Sequence, residues 1–110
     1  MEKTYNKLVR DNIPDIIKGN KGEPIIRILN EEEYKEELEK KLYEEYKEVL
    51  NAQNSEDKVE ELADMLEVIC SLARLVADKS LSQVLDVMMK KREKRGGFEK
   101  RIYLEKVIEE

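Results

Sequence analysis

Two short stretches carry acidic residues at a spacing that can hold a cation: Leu42-Tyr43-Glu44-Glu45-Tyr46-Lys47-Glu48 and Val59-Glu60-Glu61-Leu62-Ala63-Asp64-Met65-Leu66. Residues three apart on a helix share a face, so Glu45 with Glu48, and Glu61 with Asp64, are each a pair of hard oxygen donors pointing the same way. Two such helices packed side by side hold four carboxylates around one small volume. That volume is strongly negative, and a divalent cation is the usual remedy. The chain has no histidine, which removes imidazole bases, His-based triads and HExxH zinc sites together. The expected metal is therefore hard and oxygen-liganded, magnesium first and manganese as the alternative.

Spacing alone is weak support. With 26 acidic residues among 110, chance supplies about six pairs at a separation of three, and charged faces on a solvated bundle would look the same. Position relative to the apolar stripes decides more, so the elements that carry the acids matter.

Asn30 followed by Glu31, Glu32 and Glu33 is a strong helix start: the asparagine can cap, Glu33 occupies the capping-box position, and acids suit the positive helix end. The helix is expected over residues 31–50, with Tyr34, Leu38, Leu42, Tyr46 and Val49 as its apolar stripe. Glu45 falls at the edge of that stripe, roughly 60° from Leu42, with Glu48 one step further round and Glu44 further out. The polar turn Asn51-Ala52-Gln53-Asn54 makes the next helix antiparallel, with Asn54 or Ser55 as its cap. That helix is expected over residues 56–77. Its central stripe is Val59, Leu62, Leu66, Ile69, Ala73 and Val76, widened by Cys70, Leu72 and Ala77, with Glu61 bordering it and Asp64 on the same side. So wide a stripe faces more than one neighbour. Ser80 with Gln83 forms a second capping box for a helix over residues 81–95, which Gly96-Gly97 ends.

The flanks read differently. Residues 1–24 hold both prolines and two of the four glycines, and are expected to be irregular apart from a helical turn at 15–18. Residues 25–29 read as a short strand or extended segment, and 101–106 as a strand pairing with it in preference to a frayed fourth helix. The fold class expected is all-α: an antiparallel helical bundle of about three main helices, completed by oligomerisation, with short extended segments at both ends. Residues 1–110 form one domain.

Composition bounds the partners. At 40% hydrophobic and 43% charged, the chain has a thin core for its length, so part of its apolar surface is expected to meet another subunit. Acids and bases are well mixed, and the net charge of −5 comes without an acidic block, which argues against nucleic-acid binding. A lone cysteine, Cys70, excludes a disulfide framework and reads as a buried thiol. No stretch approaches the roughly 18 apolar residues of a membrane span, and the polar start is no signal peptide, so a cytoplasmic setting is expected. Phosphate ligands would need cations, for which Lys7 and Arg10 at one end and Lys91 and Arg95 at the other are the candidates. Lys94 and Lys100 read as ordinary surface cations.

The pattern Glu44-Glu45-x-x-Glu48 followed by Glu61-x-x-Asp64 resembles the signature of the all-α nucleoside triphosphate pyrophosphohydrolases, the MazG-like group. The opening Asn6-Lys7-Leu8-Val9-Arg10-Asp11-Asn12-Ile13-Pro14 and the ending Lys91-Arg92-Glu93-Lys94-Arg95-Gly96-Gly97-Phe98 are similar to its small single-domain, phosphoribosyl-ATP pyrophosphohydrolase-like subgroup. The resemblance covers nearly the whole chain. It implies magnesium-dependent cleavage between the α- and β-phosphates of a nucleotide, releasing a monophosphate and pyrophosphate. It implies Glu45, Glu48, Glu61 and Asp64 as metal ligands and assembly as a homodimer or homotetramer. Within that chemistry Glu44 or Glu48 would accept a proton, and Lys91, Arg95, Lys7 and Arg10 would steady the phosphates. The alternatives are phosphoribosyl-ATP hydrolysis and a non-catalytic helical oligomer that binds a nucleotide or a protein.

Overall fold

Four helices in chain order make up the regular structure of the computed structural model, which describes residues 1–109: α1 (Ile13–Gly19), α2 (Glu31–Asn51), α3 (Ser55–Ala77) and α4 (Leu81–Arg95). Each long helix starts where its cap residue stands. The Asn30 side chain accepts from the Glu33 amide at 2.9 Å, and Asn54 accepts from the Asp57 amide at 2.9 Å. Ser80 and Gln83 exchange both bonds of a full capping box. Around Asn30 the box is only half made, because the Glu33 carboxylate turns to Arg27 at 3.0 Å.

The α2–α3 connection is short, and Lys58 ties the start of α3 to the Val49 carbonyl in the last turns of α2 at 3.1 Å. The two helices pack antiparallel along their length, as the polar turn requires. By contrast, α4 departs. Asp78 takes a left-handed conformation (φ +51°) that ends α3, and the Lys79 amide bonds back to the Ala73 carbonyl at 3.1 Å. In α4 only Leu81 and Val84 are half-buried; from Leu85 onward every residue is exposed, and among the described residues α4 makes no contact with α2. One chain therefore contributes a two-helix hairpin and a projecting helix, and any bundle needs helices from outside it.

Both expected strands are missing among the described residues. Residues 25–29, expected as a short strand or extended segment, and 101–106 carry no regular structure, and Arg101 takes a left-handed conformation (φ +57°). The expected turn at 15–18 grows into α1, with Pro14 in its first turn, where a missing amide costs nothing. After α1 the chain doubles back so tightly that the Gly22 amide reaches the Ile17 carbonyl at 2.9 Å, and a Cβ there would lie 2.7 Å from the Ile17 side chain.

Burial within the hairpin corrects two expectations about its faces. Glu45, expected at the edge of its stripe, is 8% exposed and lies deep between the helices with Leu38. In α3, Val68 and the half-buried Glu61, Met65, Leu72 and Leu75, spaced by three or four, make up the face turned to α2. The stripe expected to be central is buried only in part: Ala73 is 8% exposed and Ile69 half-buried, but Val59 is 61% exposed, Leu62 51% and Leu66 43%. Following the helical sense around an antiparallel pair, Val59, Leu62 and Leu66 share one side of the hairpin with the exposed Tyr43, Tyr46 and Leu50, while Glu44, Glu48 and Asp64 look out on the other. Cys70 is half-buried and free. Among the described residues no helix is long and apolar enough to cross a membrane.

Candidate metal centre

Glu45 on α2 meets Glu61 and Asp64 on α3 across the hairpin, each offering a carboxylate oxygen within 4.8 Å of the others. Registration by the short turn brings them level, and the i, i+3 spacing of Glu61 and Asp64 turns both toward Glu45. Oxygens bound to one magnesium ion at about 2.1 Å lie no more than about 4.2 Å apart. Neighbouring ligands on such an ion lie closer, at about 3.0 Å, so the three side chains share an ion by drawing in from a spread of at most 4.8 Å. Their donor set is all carboxylate, which fits magnesium or manganese and excludes a thiolate or imidazole site.

Electrostatics point the same way. The Glu61 carboxyl is held above its ordinary range, first by partial loss of water, then by the charges of Asp64, Glu45 and Glu48, and by a hydrogen bond with Glu45. Positive charge inside the chain offsets this only in part. Arg10 donates to Asp64 at 2.7 Å, and the Lys41 ammonium stands 3.6 Å from Glu45 and 3.9 Å from Glu44. Five carboxylates, Glu44, Glu45, Glu48, Glu61 and Asp64, thus face two cations, and a divalent ion would offset part of the excess.

Of the expected metal ligands, the structure gathers Glu45, Glu61 and Asp64 and leaves Glu48 exposed on the rim, close enough for its charge to bear on Glu61. Glu44 is half-buried beside Lys41 and outside the trio. Of the expected phosphate-binding cations, Arg10 is at the centre. Lys7 is exposed with its ammonium 5.7 Å from the Tyr5 ring. Lys91 and Arg95 lie on the exposed part of α4, which does not reach α2 within the chain. Between them Arg92 pairs with Glu99 over Gly97, where a side chain would collide. Lys41 escaped the sequence reading, although its i, i+4 spacing to Glu45 was the available signal. Comparison with protein-family models, with curated proteins and with solved structures finds no match to this chain.

Proposed function

We propose that the chain is a magnesium-dependent nucleotide pyrophosphohydrolase of the MazG-like kind, cleaving the α–β phosphate bond of a nucleoside triphosphate or related nucleotide. The observation that carries this reading is the convergence of the buried Glu45 with Glu61 and Asp64 from a facing helix. A buried carboxylate among like charges is costly unless a cation offsets it. The flanking Lys7 to Pro14 and Lys91 to Phe98 motifs add the resemblance.

Glu45, Glu61 and Asp64 would hold the metal, with Glu48 joining from the rim. A bound ion would supply neutralisation of the phosphate chain and a more acidic water. Glu44 or Glu48, whichever the metal does not fully occupy, would accept the proton that the attacking water loses. Arg10, paired with Asp64 while no ion is bound, and Lys7 a few residues away in the same segment would be the cations for the leaving phosphates once the metal occupies the carboxylates. Lys91 and Arg95 take part only if a second copy carries them in, which agrees with assembly as a homodimer or homotetramer through the uncovered apolar side. Such assembly leaves the acidic side open.

A nucleotide panel incubated with magnesium and read out for pyrophosphate tests the proposal. The expected product is pyrophosphate with the matching monophosphate, lost in Glu61→Ala and Asp64→Ala while helical circular dichroism is kept. Undiminished release in either variant would sink it.

A further inference from the structure

Residues 1–12 are exposed except for the half-buried Leu8, and they contain no regular element. Their own contacts are local: Lys3 and Lys7 lie over the Tyr5 ring at 5.3 and 5.7 Å, and the Arg10 carbonyl accepts from the Ile13 amide at 3.0 Å. Among the described residues, the bond from Arg10 to Asp64, spanning 54 positions, is the one hydrogen bond or ion pair that joins this segment to the hairpin. It lands on an oxygen of the acidic trio. We propose that Arg10 is the built-in counter-cation of the acidic centre, and that a divalent cation displaces it from Asp64 and so releases residues 1–12.

Competition follows from charge and from occupancy. The guanidinium offsets part of the repulsion among Glu45, Glu61 and Asp64 when no ion is bound, and it engages a carboxylate that the ion needs. Both are half exposed, at 58% for Arg10 and 41% for Asp64, so the pair is weak enough to be broken. A divalent ion carries twice the charge and engages three carboxylates together, whereas Arg10 engages one. Lys41 does not compete in the same way. It is anchored on α2 four residues from Glu45, so moving it off the carboxylate frees no segment.

The inference rests on reading the acidic centre as a divalent-cation site, and its test separates the two. Magnesium is titrated by calorimetry into the wild-type protein and Arg10→Met, and tryptic cleavage after Lys7 is timed with and without magnesium at matched ionic strength. The expected result is about two- to fivefold tighter magnesium binding in Arg10→Met, the range a partly exposed ion pair supports. In the wild type, magnesium speeds cleavage after Lys7 several-fold, while Arg10→Met is cut fast in both conditions. Magnesium binding that is equal or weaker in Arg10→Met overturns the inference and leaves the metal site standing, as does a cleavage rate that sodium chloride raises as much as magnesium. No magnesium binding in either protein overturns both. Should Arg10→Met lose helical signal, Arg10→Gln, which keeps a polar side chain, replaces it.

Discussion

Glu45 is the residue on which the site turns, because it is the buried charged side chain of the hairpin. Its nearest cation, Lys41, stands beyond hydrogen-bonding distance at 3.6 Å. The strain of this arrangement falls on Glu61, whose carboxyl keeps its proton to higher pH than an ordinary glutamate. Unfolded, Glu61 loses that proton near pH 4.5, so over the interval from there to its raised value the folded state binds more protons. Stability then falls as pH rises through that interval. Glu61→Gln removes the effect. In the presence of chelator, the variant should match the wild type near about pH 4 and melt at an increasingly higher temperature than it as pH rises through that interval, the gap then holding level above it. A gap that stays constant through that interval, or reverses, contradicts this assignment.

At the scale of elements, the helices were legible because their boundaries are local chemistry. Asn30, Asn54 and Ser80 cap the helices they were expected to cap, and the Gly96 that ends α4 adopts φ +81°. The rotation of α3 was not legible from hydropathy. Its most continuous apolar stripe pointed to the core, yet the face carrying Glu61, Val68 and Leu72 takes that place and leaves Val59, Leu62 and Leu66 outside. A helix whose apolar residues spread over more than one face produces that ambiguity. The acids were legible as pairs on each helix, but the depth of Glu45 and the choice of Glu61 and Asp64 over Glu48 depend on that rotation. Residues 25–29 and 101–106 failed as strands because β-branched composition supplies no partner. If a second copy covers the exposed part of that stripe, Leu62→Glu should shift the protein to monomer in sedimentation velocity with the hairpin's helical signal retained. A wild type that sediments as a monomer at micromolar concentration would contradict this.

As a whole the molecule is elongated, 68 × 35 × 24 Å, with a radius of gyration of 18.8 Å where a compact domain of this length has about 13 Å. Two surfaces are separated across it: an apolar side on α2 and α3, and an acidic side on which Arg10 lies. The separation leaves the acidic side open when the apolar side is covered, and the proposed metal binding rests first on three carboxylates from two helices. The binding of magnesium to the wild type and to Glu45→Gln, followed by calorimetry at neutral pH, tests this most directly. The expected result is saturable binding to the wild type, weakened about tenfold or more in the variant, since even indirect supports of a metal site cost that much when removed. No saturable binding to the wild type, or equal affinity in Glu45→Gln, would contradict the metal centre.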